Sequence, residues 1–267
     1  MDFISILYSI FILGILGFLF GILLGFASKK FEVQVDEKIP KIREILPGAN
    51  CGGCGYPGCD AYATAVVEDG ADATLCGVGG PSVAKAIGEV LGVKVKEVEK
   101  NVAYVKCNGD CNKKKIVLNL PSGISCDEAK EFISNNEVAG CNYGCFGLGK
   151  CAFVCKFGAI KIEDGLAKVD ESKCVGCKAC VNACPQNLIS IIKDNNKVTI
   201  KCNSNDAGKL VNQNCSTGCI GCKICEKNCP NEAIKVENFL AKIDYEKCTS
   251  CGICKDKCPK KVINIRE

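Results

Sequence analysis

The chain opens on a long apolar run. From Phe3 to Ala27 no residue is charged, and Ile, Leu and Phe dominate. Twenty-five helical residues span about 37 Å, so this run predicts a single N-terminal transmembrane helix with some tilt. Asp2 precedes it, and Lys29 and Lys30 follow. The positive-inside rule then puts the remainder on the cytoplasmic side of a cytoplasmic membrane. A secretory signal peptide is the competing reading, with Gly25–Phe26–Ala27 as its cleavage site. The run is too long for that and lacks a basic n-region. Gly17, Gly21 and Gly25 share one helix face, a spacing that admits a second membrane helix, although glycine is common in membrane helices generally.

Beyond Ala27 the apolar positions scatter, then become periodic. Residues 28–50 read as a connector ending near Pro47–Gly48. Asp60–Asp69 and Pro81–Leu91 carry helical spacing, the second with proline at its first position. Ser125 and Glu128 form a capping-box pattern that starts a third helix at Cys126. Short alternating segments (AIKI, LAKV, AIKV, LAKI, VINI) and the run KVTIKC read as strands. The class is α+β. GVGG at 77–80 follows no strand and lacks the full dinucleotide fingerprint.

Composition narrows the chemistry. The 267 residues include 25 cysteines, no histidine and no tryptophan, with a net charge of +4. Without histidine there are no Rieske clusters, no His-ligated haem, no mixed Cys/His zinc sites and no usual general base. The weak charge does not point to nucleic acid; a mildly basic surface suits an acidic protein partner. Small cysteine-dense domains bury too little apolar area to fold without staples, so spacing must decide between disulfides and metal.

Cys51, Cys54 and Cys59 stand in CGGCGYPGC, and Cys76 follows. Three close cysteines and a distant fourth fit a four-cysteine [4Fe–4S] site, and zinc also accepts four cysteines. Farther on, one pattern repeats. C-x2-C-x2-C-x3-C-P occurs at Cys174/Cys177/Cys180/Cys184, Cys219/Cys222/Cys225/Cys229 and Cys248/Cys251/Cys254/Cys258. A variant copy precedes them at Cys141, Cys145, Cys151 and Cys155. Sliding the chain by 74 residues lays AIKIEDGLAKVDESKC on AIKVENFLAKIDYEKC, Cys145 on Cys219, Cys151 on Cys225 and Cys155 on Cys229. Leu148 then falls on Cys222, so Cys141 is read as the substitute ligand, and Lys156 takes the place of the usual proline.

The repeated run resembles that of bacterial two-cluster ferredoxins, in which the fourth cysteine of each run binds the other cluster. That resemblance implies two tandem ferredoxin-like units with four clusters: Cys141, Cys145, Cys151 and Cys184; Cys174, Cys177, Cys180 and Cys155; Cys219, Cys222, Cys225 and Cys258; Cys248, Cys251, Cys254 and Cys229. With the Cys51 group this makes five [4Fe–4S] clusters. Cys107, Cys111, Cys126, Cys202 and Cys215 remain. They are read either as a sixth metal site, from Cys107 or Cys111 with Cys126, Cys202 and Cys215, or as inert buried thiols.

An apolar N-terminus, CGGCGYPGC with a trailing cysteine, GCFGLGKC and the ferredoxin runs together resemble the B subunits of Rnf complexes, membrane-bound, ion-translocating ferredoxin:NAD oxidoreductases. The resemblance implies a non-catalytic subunit that accepts electrons from reduced ferredoxin and relays them through its clusters to other Rnf subunits. The complex ends at NAD and moves Na+ or H+. A polyferredoxin serving another membrane redox complex is the alternative. The expected organisation is an anchor at 1–28, a linker at 29–48, a small mainly helical cluster domain at 49–93 and a connecting α/β segment at 94–140. Ferredoxin-like units follow at 141–200 and 219–267, with a connector at 201–218. Electrons are expected to enter at the C-terminal clusters and leave from the Cys51 cluster.

Overall fold

The computed structural model describes residues 3–30, 36–95, 99–116 and 118–266. Residues 31–35, part of the expected connector, lie outside them. Helix α1 (Phe3–Lys30) is followed by α2 (Lys38–Ile45), α3 (Cys59–Glu68) and α4 (Gly80–Leu91).

The expectation of a single N-terminal transmembrane helix is corrected here. Among the described residues no helix is long and apolar enough to cross a membrane. Side chains of α1 are described at 8, 11–27 and 30, and those at 3–7, 9, 10, 28 and 29 lie outside the described residues. Within the described run Phe11, Leu13, Phe18 and Phe26 are largely exposed, and Gly17, Gly21 and Gly25 have no neighbour within 4 Å of a notional Cβ.

Helices α2, α3 and α4 close around Ile42, Leu46, Tyr62, Val66 and Ile87. Pro81 sits in the first turn of α4, and Gly92 caps its C-terminus at φ 73°. The Tyr62 hydroxyl donates to the Asp72 carbonyl at 2.8 Å, which satisfies the one polar atom of an otherwise buried ring.

The remainder forms two copies of one plan. The first has β1 (Asn101–Val105), α5 (Cys126–Asn135), α6 (Lys150–Phe153), β2 (Ile160–Glu163), β3 (Leu166–Val169), α7 (Ala179–Ala183) and β4 (Ile189–Lys193). The second has β5 (Val198–Ile200), α8 (Gly208–Asn214), α9 (Ile224–Lys227), β6 (Ile234–Glu237), β7 (Leu240–Ile243), α10 (Ile253–Lys257) and β8 (Ile263–Ile265). In each copy the first strand pairs antiparallel with the last, Val105 against Ile189 and Ile200 against Ile263. The inner pair is a hairpin, β2 with β3 and β6 with β7. Its two-residue turns, Asp164–Gly165 and Asn238–Phe239, hold both residues at positive φ, the type that matches strand twist.

The leading strands fall ahead of the expected unit boundaries. β1 lies within the segment read as a connector, and β5 within the stretch assigned to the first unit. A strand with no partner leaves a row of backbone groups unpaired, so each must close with the β-edge of its own unit.

The two copies are locked together at one side by Arg266, beside the end of β8. Its guanidinium donates twice to Glu171, at 2.6 Å each, and once to Asp194 at 3.1 Å. The arginine side chain is 4% exposed, against 34% for Glu171. Tyr245 packs into the core of the first copy, and its hydroxyl donates to the Val198 carbonyl at 3.1 Å. Replacing Arg266 by Ala strands Glu171 and Asp194 without their partner. The expected loss is about 2–3 kcal/mol, given partial solvent access on the acidic side. It should appear as a lower unfolding temperature in anaerobic circular dichroism, only partly recovered by Arg266→Lys.

Candidate metal centres

Each cysteine run is shaped by the same backbone bends. The residue two beyond the first cysteine has positive φ in all four runs: Gly147, Gly176, Gly221 and Ser250. So does the residue four beyond: Gly149, Lys178, Lys223 and Gly252. So does the residue three beyond the fourth: Gly158, Asn187, Glu232 and Lys261. The last bend closes each time by a hydrogen bond back to the fourth cysteine's carbonyl, at 3.1–3.3 Å. It forms after Lys156 as it does after the prolines, and the Cys155 sulfur accepts from Ala159 N–H at 3.3 Å just as Cys229 accepts from Ala233. Lys156 itself points to solvent.

These bends gather the thiols. Cys51, Cys54, Cys59 and Cys76 line one small cavity. Cys155, Cys174, Cys177 and Cys180 line a second, and Cys219, Cys222, Cys225 and Cys258 a third. Cys248 and Cys251 are neighbours of Cys254. Crossing of the fourth cysteine is thus visible at Cys155 and Cys258.

In the variant run, Cys151 has Cys145, Cys184 and Cys126 as its electrostatic neighbours. Cys126, rather than the expected Cys141, thus stands among the neighbours of Cys151. The capping box that starts α5 is formed, with Ser125 N–H donating to Glu128 at 2.6 Å. An Asp127–Lys150 ion pair fastens this end of α5 to α6 and brings Lys150 beside Cys126. Farther along, Lys130 donates to Gln186 at 2.9 Å, beside Cys184. Cys141 instead shares a cavity with Cys107, Cys202 and Cys215. Cys111 is exposed and apart from that group.

The first group docks onto the first ferredoxin-like unit. Cys177 lines the cavity of the Cys51 group, and a Cβ on Gly53 would stand 2.8 Å from the Cys177 carbonyl oxygen. Only glycine permits that approach. Gly53→Val must push backbone away from backbone, and the expected loss is about 1–3 kcal/mol. Faster proteolysis within residues 46–78 by an added protease, with the C-terminal fragment left intact, is the readout.

Burial dominates the thiol chemistry. Desolvation pushes Cys151, Cys202 and Cys225 up to about 12, and Cys180 and Cys254 up to about 11. Such thiols stay protonated unless a metal takes the proton's place, so loading releases protons. The donor set fits iron–sulfur groups: sulfur only, clustered in fours, with backbone N–H groups aimed at the sulfurs of Cys76, Cys155, Cys174 and Cys229. Among the described residues no group of three or more Cys, Asp or Glu is placed to hold a single metal ion.

This arrangement defines a multi-centre iron–sulfur protein. Three family models match it: "Putative Fe-S cluster" over 46–78, "4Fe-4S binding domain" over 167–190 and "4Fe-4S dicluster domain" over 218–263. The chain is 47% identical to the B subunit of the Na(+)-translocating ferredoxin:NAD(+) oxidoreductase complex of Acetobacterium woodii, across 91% of this chain and 73% of that protein. It is 44% identical to the B subunit of the ion-translocating oxidoreductase complex of Methanosarcina acetivorans, across 90% of each. With the B subunit of the proton-translocating ferredoxin:NAD(+) oxidoreductase complex of Clostridium ljungdahlii the identity is 39%, across 91% and 86%. The chain belongs to this family of B subunits of ion-translocating oxidoreductase complexes.

Proposed function

We infer that the chain is an electron-transfer subunit. It takes electrons from reduced ferredoxin and passes them to the other subunits of an ion-translocating ferredoxin:NAD oxidoreductase complex of the Rnf type. Movement of Na+ or H+ has meaning only across a membrane, so the assembly it serves is membrane-associated. The observation that carries this reading is the abutment of cysteine-ringed cavities, seen where Cys177 lines the cavity of the Cys51 group. When bound, [4Fe–4S] clusters supply one-electron chemistry.

The chain's own residues set ligation, order and docking. Five cluster positions are proposed. Cys51, Cys54, Cys59 and Cys76 hold one, and Cys155, Cys174, Cys177 and Cys180 a second. Cys219, Cys222, Cys225 and Cys258 hold a third, and Cys229, Cys248, Cys251 and Cys254 a fourth. The fifth is held by Cys145, Cys151 and Cys184, completed by Cys126. Entry is proposed at the C-terminal unit, where Cys222 and Cys251 are exposed among exposed Lys223, Lys227, Lys255 and Lys257. An acidic ferredoxin is steered to such a surface, and raised salt should slow the encounter. Exit is proposed at the Cys51 group, at the other end of the path.

Two expectations test this reading. Cys59→Ala should leave oxidation of reduced ferredoxin by the isolated subunit within about twofold of wild type while abolishing NAD reduction by the reassembled complex. Unimpaired NAD reduction would reverse the proposed order. Cys126→Ala should lose about four irons, and adding Leu148→Cys, at the position matching Cys222, should restore them. Full iron in Cys126→Ala would remove Cys126 from the ligand set.

A further inference from the structure

Cys107, Cys141, Cys202 and Cys215 line one pocket between the two ferredoxin-like units. They are two copies of one pair. The 74-residue shift that lays Cys145 on Cys219 also lays Cys141 on Cys215. The other two cysteines match through the strands. Cys107 stands two residues beyond β1 in Val105–Lys106–Cys107–Asn108, and Cys202 two beyond β5 in Ile200–Lys201–Cys202–Asn203. Lys106 N–H donates to the Leu188 carbonyl at 2.7 Å, and Lys201 N–H to that of Val262 at 2.8 Å. Leu188 and Val262 are related by the same shift.

Cys219 N–H donates to the Cys202 sulfur at 3.3 Å, and Cys145 neighbours Cys107 as Cys219 neighbours Cys202. Inert thiols pack as small hydrophobes and have no need to gather at one point. Four of them, contributed two by two from matching positions and facing one space, make a ligand set. Lys106, Lys114 and Lys201 line the same cavity and place positive charge beside what would be four thiolates. Lys114 is held there by donating to the Cys145 carbonyl at 2.7 Å.

We propose that this cavity holds a sixth [4Fe–4S] cluster, ligated by Cys107, Cys141, Cys202 and Cys215 and shared between the two units. The proposal rests on the multi-cluster reading above and adds to it the connection between its halves. On one side the site neighbours Cys145, and on the other Cys219 N–H donates to Cys202. A cluster held by these four cysteines would take up one electron from the Cys219 side and give up the same electron to the Cys145 side, with no proton or atom transferred. Cys141 and Cys126 thereby exchange the places expected from spacing alone.

The test is iron, acid-labile sulfide and zinc per full chain, prepared anaerobically. Wild type should hold about twenty-four irons and as many sulfides, and no zinc. Cys202→Ala and Cys215→Ala should each lose about four of both, and Cys111→Ala should lose none. A wild type with about twenty irons overturns the sixth cluster whether or not the variants fold, and leaves the five-cluster reading standing. Twenty irons with one zinc overturns it equally. Near-zero iron overturns both readings.

Discussion

Everything in this molecule depends on turning short stretches of backbone so that four sulfurs face one point. The left-handed bends after the first and fourth cysteine of each run do this, and they recur with residues as unlike as Gly, Ser, Lys, Asn and Glu. Non-glycine residues adopt that conformation only at some energetic cost. The cost is met because the units have little else to fold around. Their apolar clusters are small, and cysteines are built into them, Cys174 and Cys180 in one and Cys219, Cys225 and Cys254 in the other. Metal loading and folding are therefore coupled.

From that constraint the arrangement of the whole follows. A run can supply its fourth cysteine to a neighbour only if the two runs lie face to face, and the paired outer strands together with the inner hairpins hold them so. The same logic acts one level up. The helical group of residues 46–78 presses a glycine against Cys177, and the two ferredoxin-like units meet through Arg266 and Tyr245 on one side and four cysteines on the other. A protein whose task is conduction gains from contacts of this kind, because each brings two sulfur-lined cavities together without a catalytic group between them.

Much of this was legible in the cysteine spacing. The C-x2-C-x2-C-x3-C-P runs and the 74-residue shift carried the existence of two ferredoxin-like units and the crossed sets at Cys155 and Cys258. Reading Cys141 as the replacement for the position of Leu148 attended to chain proximity alone. Cys126 lies far away in sequence and reaches Cys151 only because Asp127 and Lys130 fasten α5 across the first unit. The shift itself contained the missing signal, since it places Cys141 on Cys215, and the second unit has a complete run without needing Cys215. The leading strand of the first unit was hidden for a related reason: β1 declares itself only through a partner more than eighty residues away, whereas β5 falls in the run KVTIKC that reads as a strand by itself. At the N-terminus, hydropathy read a membrane span, whereas among the described residues no helix is long and apolar enough to make one.

If the two units form one continuous conductor, their clusters must sense one another. Electron paramagnetic resonance of the fully reduced full chain reads that coupling. Adjacent paramagnetic clusters should give a broad spectrum dominated by spin–spin interaction, and partial reduction should populate the clusters as a coupled set. Sharp, additive signals equal to the sum of separately reduced clusters would mean that no continuous conductor exists.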